Sequence, residues 1–450
     1  MRFLISGKDL KEMTLKTKRL LFGTSIIALI AAIAGGIYYF YENQKREQFI
    51  YDTLKEYSKT AEFVNMSSKN WDNTIWIDSS INRNEITAIH FVEDYNHEGD
   101  VAWLFDGMAG YFNKGEIYMV VDESIRITGT MNGAFAGLEN LVAIDGFERL
   151  DTSHVTDMSY LFQKCKKLEK IDLTNFETDS LVLAKGMFLD CASLSVLDLS
   201  KNNMSSLKDA ESMCENCHAL DEIHLPSTPN METARRMFYK IGTQSGAGTT
   251  IYGDLDTTNC KDIGYVVAES MIVNLDFMQN INTENVENAE YAFYNSSLPS
   301  EFDLSSWKTS KIKNMNNMLS VNPTMRKCNL NGWDISSLEQ CEYMFFYNSG
   351  MRELQIQWNN AQNVAKAQSM FKRCFSLEVL DLSSFNNVHF GDARELFAEC
   401  ENLKILYVEN LNADVSDDMF KYCGTLNGEL VDDFYDIEFG KANNFFARKE

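Results

Sequence analysis

Proline, histidine and basic residues are scarce in this 450-residue chain, and the scarcity of histidine and of basic residues narrows its possible functions. It has 4 prolines and 6 histidines, and 41 Lys and Arg residues against 65 Asp and Glu residues give a net charge of −24. Neutralising nucleic-acid phosphates requires a basic face, so this charge argues against a nucleic-acid partner. The scattered histidines show no metal-ligand spacing, and no Ser/His/Asp set can be placed. The sequence therefore predicts a protein without catalytic residues or a metal site.

A long run without charged residues lies near the N-terminus, at residues 20–41. It is long enough for a transmembrane helix, and the tyrosines at its end suit the membrane interface. Residues 1–19 carry six Lys and Arg residues against two acidic ones, which favours a cytoplasmic N-terminus. We therefore predict a single-pass membrane protein with the rest of the chain outside the cell. A signal peptide cleaved near Ala34 is the alternative, and it would release a secreted form.

A 26-residue period repeats along most of the chain. Counted from Phe162, apolar residues fall at offsets 3, 6, 9, 11, 14, 19, 22 and 25, and the same frame restarts at Phe188 and at Phe371. Self-similarity of this length is the signature of a solenoid. Offsets 9 and 11 have the two-residue spacing of a strand, and offsets 19, 22 and 25 have that of a helical face. We therefore predict an α/β solenoid of leucine-rich repeats, each with a short parallel strand and a short helix.

The period also sets the predicted domain boundaries. Residues 85–134 read as strands but lack the repeat, as expected for a cap that covers an open sheet edge. The predicted domains are a cytoplasmic basic tail (1–19), a transmembrane helix (20–41), a helical stalk and linker (42–84), an N-terminal β cap (85–134), the solenoid of about eleven units (135–419) and a C-terminal cap (420–450).

Three segments carry a longer motif. They read LDLSSF at 380–385, DTSHVTDMSYLF at 151–162 and FDLSSWKTSKIKNMNNML at 302–319. With these segments the chain resembles the BspA-like bacterial surface proteins, in which L-D-L-S-x-F-x-T-S-x-V-T-x-M-x-x-M-F-x-x-C recurs. The resemblance covers residues 85–430. It implies a secreted or surface-anchored leucine-rich-repeat protein, often linked to adhesion, without catalytic residues.

Most of the ten cysteines fall in apolar columns of the repeat, among them Cys165, Cys191, Cys374 and Cys400. Free cysteine behaves as a small buried hydrophobe, so we predict reduced packing residues. Neighbouring units lie ~5 Å apart in such a stack, which is close enough for a disulfide. Cross-links between Cys165 and Cys191, or between Cys374 and Cys400, are therefore the open alternative.

The segment from Cys214 to His218 matches C-x-x-C-H, the motif that attaches c-type haem. Cys217 falls in the same column as Cys165, and Cys214 takes the position of a leading phenylalanine. Both side chains should therefore point into the core, where a porphyrin has no room. We predict no haem and no other cofactor.

The side chains at offset 10 should point outward from the strands, onto the concave face that solenoids use for binding. Two interpretations of its aspartates are open: they bond nearby hydroxyls such as that of Ser200, or they form an acidic strip for a basic ligand or cation. Phe277 and Tyr407 depart most from the repeat and could anchor a partner, although each could instead cover a local irregularity. The candidate partner-binding residues are Asp172, Asp198, His224, Phe277, Asp303, Asp381 and Tyr407.

These features together predict a membrane-anchored extracellular protein that binds a protein or glycan partner without catalysis. The alternative is a structural subunit of a cell-surface complex, using the same face for a permanent partner. A cell-envelope hydrolase is a more distant alternative.

Overall fold

The computed structural model describes residues 64–65, 88–91, 117–121, 125–174, 176–244, 246–360, 364–385, 388–408, 412–426 and 429–430. Within these ranges no helix is long and apolar enough to cross a bilayer. The predicted tail, transmembrane helix and helical part of the stalk lie outside the described residues.

The described chain is a parallel β-solenoid with two ladders of short strands. Its strands are β1 (Val64–Asn65), β2 (Ala88–Phe91), β3 (Ile117–Val121), β4 (Ile125–Thr130), β5 (Leu141–Asp145), β6 (Leu150–Asp157), β7 (Val196–Asp198), β8 (Glu222–His224), β9 (Thr250–Tyr252), β10 (Glu301–Asp303), β11 (Lys327–Asn329), β12 (Glu353–Gln355), β13 (Val364–Lys366), β14 (Val379–Asp381), β15 (His389–Asp392), β16 (Ile405–Tyr407), β17 (Asn412–Val415), β18 (Thr425–Leu426) and β19 (Glu429–Leu430). The helices are short: α1 (Asp276–Gln279) and two 3-10 turns, Phe147–Arg149 and Ser383–Phe385.

The first ladder contains the strands that the period-two spacing predicted. It consists of the parallel sheets β1-β2-β3-β5, β7-β8-β9, β10-β11-β12 and β14-β16. Glu301 pairs with Lys327, and Lys327 pairs with Glu353, so the register advances by one 26-residue unit at each step. Strands β2 and β3 lie within the segment predicted as a cap and continue the same parallel pairing into β5. The predicted solenoid of stacked parallel strands is thus confirmed.

The second ladder runs parallel to the first on another side of the stack. Its partners, one from each successive unit, are Thr130, Asp157, Leu183, Asp209, Thr233, Asp262, Asn288, Asn314, Gln340, Lys366, Asp392 and Val415. Most of these contacts are single bridges, because the chain turns again immediately afterwards.

The short helix predicted for each unit is wrong. Its place is taken by a turn ribbon, which we define as residues 158–165 in the unit led by Phe162 and their equivalents. Met158, Tyr160 and Phe162 donate their backbone N–H groups to carbonyls of the next unit at 2.7–2.8 Å. An α-helix would keep those N–H groups for itself. Tyr160 has a φ of 58° and Lys164 one of 62°, and the same two positions are left-handed in the following units.

This left-handed backbone normally costs about 1–2 kcal/mol for each residue other than glycine. Gly186 occupies one such position with a φ of 58°. A Cβ atom there would lie 2.7 Å from the ring of Tyr160 in the preceding unit. The ribbon therefore tolerates ordinary residues because it gains hydrogen bonds between units, and it uses glycine at position 186, where a neighbouring ring leaves no space for a Cβ atom.

One continuous hydrophobic core runs through the stack. The residues three positions after the leading residues form a column of hydrogen-bond donors within it, apart from Leu138 and Ile241. Cys191 Sγ donates to the carbonyl of Phe162 at 3.1 Å, and Ser296 Oγ donates in the same way to Val267 at 2.7 Å. The donor column contains Cys165, Cys191, Cys217, Ser270, Ser296, Asn322, Asn348, Cys374, Cys400 and Cys423.

All ten cysteines are buried and carry free thiols. Those of the donor column therefore serve as packing residues, as predicted, and also as donors to the backbone. The Cys214–His218 motif follows the same pattern. Cys214 and Cys217 are both fully buried, and His218 Nδ1 lies 2.9 Å from the hydroxyl of Thr243.

A second core column contains aromatic residues and allows a matched test. Trp307, Trp333 and Trp358 stack at 6.2 Å and 5.9 Å between ring centroids. Trp333 Nε1 donates to the carbonyl of Leu304 at 2.8 Å. The buried Nε1 of Trp358 has no hydrogen-bond partner among the described residues, because Trp358 comes one position earlier in its unit than Trp333 does.

Replacing each of these tryptophans with phenylalanine should therefore have unequal effects. Trp333→Phe removes a buried hydrogen bond, and it should lower the free energy of unfolding by about 1–2 kcal/mol more than Trp358→Phe does. Both changes remove the same volume, so each variant is the control for the other. Urea unfolding followed by circular dichroism measures the difference. Equal losses would show that the bond of Trp333 contributes nothing to stability.

Candidate interaction surface

The predicted candidates lie mainly along the outward side of the first ladder, which we call the strand face. Asp198 on β7 pairs with His224 on β8, and His224 pairs with Tyr252 on β9. Asp381 and Tyr407 are paired in the same way on β14 and β16. Asp303 lies exposed on β10, and Asp172 lies exposed in the equivalent non-strand segment.

The aspartates of this face bond to their own turns. Ser200 donates its backbone N–H and its hydroxyl to Asp198 Oδ1, at 2.9 Å and 2.7 Å, and Thr174 does the same for Asp172. These hydroxyl bonds are the main reason that the pKa values of both carboxyl groups lie below their ordinary value. These contacts support the first of the two interpretations, in which the aspartates bond nearby hydroxyls. They stay ionised at neutral pH and remain exposed.

An aromatic pair is the most distinctive feature of the strand face. The rings of His224 and Tyr252 stack at 4.5 Å, with 18° between their planes, and Tyr252 is 44% exposed. Sequence reasoning missed Tyr252, because its unit is 29 residues long and simple counting places a glycine at offset 10. The apolar Ile251 beside it was the signal that could have restored the frame.

Phe277 does not lie on a strand, so its predicted placement on the strand face is wrong. It belongs to α1, is half-buried, and packs its ring edge-on against Phe238 at 6.4 Å. The first ladder is interrupted there, and a side chain takes the place of the missing strand. Asn274 accepts a hydrogen bond from the backbone N–H of Ile251 at 3.0 Å and donates to its carbonyl at 2.9 Å. The amide thereby closes the free edge of β9.

An open groove of about 610 Å³ lies at this interruption. The unit after the groove fills the equivalent space with Trp307, the unit before it has the buried Asn202 there and the one before that has Phe176, whereas the groove units have Pro226, Leu255 and Ile281. The groove is lined by Leu225, Pro226, Ser227, Asp254, Leu255, Asp256, Thr257, Phe277, Asn280, Ile281 and Asn282. Sequence reasoning missed it because the shift in unit length hides which residues share the column.

A cluster of arginine and tyrosine side chains covers part of the turn ribbon. Arg235 lies over the ring of Tyr265 at 5.1 Å, and Arg236 lies over the same ring at 5.4 Å. Each arginine also forms an ion pair at 2.6 Å, Arg235 with Glu290 and Arg236 with Glu215. Burial opposes ionisation of Glu215, but its hydrogen bonds, chiefly from Arg236, keep its pKa below the ordinary value. Because these charges are satisfied within the protein, the cluster serves mainly to join units.

The described residues give no indication of catalysis. They contain no group of three or more His, Cys, Asp or Glu side chains that could hold a metal ion. Burial raises the pKa of the Cys260 thiol to about 12 and that of Cys374 to about 12. A nucleophilic cysteine needs the opposite shift. Solenoids of this kind ordinarily serve as interaction scaffolds, with extended surfaces for partners.

Parallel rungs that recur at a 26-residue period around a leucine-rich core define a leucine-rich-repeat-like solenoid. The family model for DUF285, described as a Mycoplasma protein of unknown function, matches residues 129–250, 246–355 and 324–434. These matches span more than half of the 450 residues, so the chain belongs to the DUF285 family. No curated protein matches it.

Solved structures with some similarity include a leucine-rich repeat protein from Eubacterium ventriosum. It is 14% identical, with a TM-score of 0.39, over 79% of this chain and 87% of its own. A TLR13–ssRNA13 complex is 13% identical, with a TM-score of 0.24, over 76% of this chain and 49% of that one. A Toll–Spätzle complex from Drosophila is 11% identical, with a TM-score of 0.17, over 74% of this chain and 57% of that one.

Proposed function

We propose that this protein is a membrane-anchored extracellular scaffold that binds a protein or glycan partner through its strand face. The motif shared with BspA-like surface proteins and the uncharged run at 20–41 support a place at the cell surface. The main support for binding is the stack of the half-buried His224 on the exposed Tyr252. A rigid aromatic side chain loses little rotamer freedom when it is covered and buries a large area, which is why such residues dominate interface energies.

Replacing the tyrosines of the strand face should weaken partner binding without melting the solenoid. Tyr252→Ala and Tyr407→Ala should each cost about 1–3 kcal/mol of binding free energy. Binding of the full-length protein, purified in detergent, to a host-protein and glycan array would identify a ligand and measure this loss. Tyr347→Ala is the matched control, because Tyr347 is 40% exposed on the turn ribbon.

Two results would count against this proposal. A melting temperature that falls in proportion to the lost binding would make the tyrosines packing residues. An array without any ligand would favour the structural subunit, whose partner comes from the same cell.

The proposed topology predicts the outcome of proteolysis on intact cells. Added protease should remove the repeats and leave a small membrane-embedded fragment, because residues 1–19 are basic and residues 20–41 are uncharged. An antibody against an N-terminal tag and one against the repeats would follow the two parts. Full protection of the repeats would refute an extracellular solenoid, and a mature N-terminus at Gly35 would indicate a secreted form instead.

A further inference from the structure

We propose that the groove at the interruption of the first ladder binds a basic side chain, lysine or arginine, of a peptide partner. This second site goes beyond the strand-face proposal and uses different residues. It begins immediately after β8 and β9 and is lined by segments of three successive units: Leu225–Ser227, Asp254–Thr257, and Phe277 with Asn280–Asn282.

The charge of the groove selects a cationic ligand. Asp254 and Asp256 line it, and none of its described lining residues is a lysine or an arginine. Within the described ranges Asp254 has no hydrogen-bond or ion-pair partner, while Asp256 Oδ1 accepts one hydrogen bond, from the backbone N–H of Thr258 at 3.0 Å. The two carboxylates therefore have unused acceptor capacity. The net charge of −24 also attracts basic ligands towards the protein.

The walls of the groove suit the stem of such a side chain. Pro226, Leu255, Phe277 and Ile281 supply apolar surface beside the two carboxylates. Lysine and arginine combine an apolar stem with a charged head, and they bury the stem along apolar surface while the head stays near water. About 610 Å³ also leaves space for the residues on either side of the basic one.

A missing hydrogen bond shows that the stack is not closed at this place. In several other units a buried threonine joins the unit to the next: Thr178 donates to the carbonyl of Asn203, and Thr257 donates to that of Asn282. The equivalent hydroxyl, that of Thr228, is buried beside the groove and has no partner among the described residues. The contact that would draw Thr228 towards the segment of Asp254 and Asp256 is absent, and the groove stays open.

The site can be tested with a fluorescein-labelled heptapeptide in which two arginines flank a leucine, and with its glutamine counterpart. Fluorescence anisotropy with the full-length protein in detergent should show binding of the arginine peptide that weakens as salt is added. The double variant Asp254→Asn with Asp256→Asn should weaken binding by about tenfold or more. Asp414→Asn with Asp417→Asn removes two exposed carboxylates elsewhere and should change affinity less than about twofold.

A second variant tests the shape of the groove. Ile281→Trp should fill it with the ring that neighbouring Trp307 has in the same column, and should abolish binding while the protein stays folded by circular dichroism. If that variant does not fold, peptide binding by the double variant Asp254→Asn with Asp256→Asn decides the test. The proposal is overturned if the wild-type protein fails to bind the arginine peptide, if both peptides bind equally, or if the double asparagine variant keeps its affinity. An equal loss in the control pair would reduce the effect to general surface charge and would also overturn it.

Discussion

Raising the pH from 7.5 to 9.5 should sharply destabilise this protein, because burial disfavours the ionisation of eight of its thiols while it is folded. Burial is the main cause that raises the pKa of eight of them: Cys165, Cys191, Cys217, Cys260, Cys328, Cys341, Cys374 and Cys400. An exposed thiol in the unfolded chain ionises near pH 8.5. The folded state therefore holds more protons above that pH, so stability is fully present below pH 8.5 and falls as the pH rises.

The expected loss is large. Each such thiol should lower the free energy of unfolding by about 1 kcal/mol between pH 8.5 and 9.5, so eight acting independently should lower it by roughly 8 kcal/mol. Typical domains are stable by only about 5–15 kcal/mol. The urea midpoint, measured with reductant present, should fall steeply between pH 8.5 and 9.5. A midpoint that does not move would contradict the prediction.

Serine variants isolate the contribution of single thiols. Cys191→Ser and Cys400→Ser keep a donor at a position where Ser296 shows that serine fits. Each should reduce the pH dependence by about 1 kcal/mol per pH unit, because serine does not ionise in this range. A double variant should reduce it by about twice as much, since the two sites lie far apart in the stack. Unchanged slopes would show that groups other than these thiols cause the alkaline loss.

Phe371→Ala should cost about 3–5 kcal/mol of stability, as expected for a large buried aromatic side chain. Phe371 is 1% exposed and stacks between Phe345 and Phe397, both 5.4 Å away and nearly parallel to it. Alanine would remove both ring contacts and leave a cavity in the middle of the stack. Denaturant unfolding measures the loss.

Phe188→Ala is the matched control. Phe188 occupies the same column and is fully buried, but among the described residues its ring stacks only on Phe162, at 5.6 Å. Phe188→Ala should therefore cost less stability than Phe371→Ala, by about 0.5–1.5 kcal/mol, which is the contribution of one aromatic pair. If Phe188→Ala costs as much or more, the cavity rather than the stacking sets the loss.

The repeating core could be predicted from the sequence, because apolar spacing reports directly which side chains face inward. Leu197, Leu380 and Phe371 all lie in the core that the 26-residue period predicted. The parallel pairing follows as well, since units of equal length can bring equivalent strands side by side only in one register.

The turn ribbon could not be predicted in the same way. Spacings of three and four residues also arise when a chain makes consecutive turns, so Met158, Leu161, Phe162 and Cys165 are buried without a helix. What decides between the two is the direction of backbone N–H groups such as that of Tyr160, which bond to the next unit. Hydrophobic spacing contains no information about that choice, and tyrosine gives no signal of its left-handed conformation.

The surface was less predictable than the core, because it depends on how unequal units align. The positions of Asp198, His224 and Tyr407 on strands followed from regular counting. Tyr252 was missed because its own unit is longer than its neighbours, and Phe277 was misplaced because α1 replaces the strand of the following unit. The groove is a property of three units together, so no single repeat contains its signal.

The donor column has a consequence for how such genes can change. Cysteine, serine and asparagine all make the same bond to the preceding unit, as Cys191, Ser270 and Asn322 show. Unequal crossing-over within the gene would add or delete whole 26-residue blocks, and a new junction between two donor-bearing blocks would still match a donor with a carbonyl. The array can therefore lengthen or shorten by recombination with its core intact. A length change inside one block instead alters the local surface, so selection can act on binding sites separately from the stability of the array.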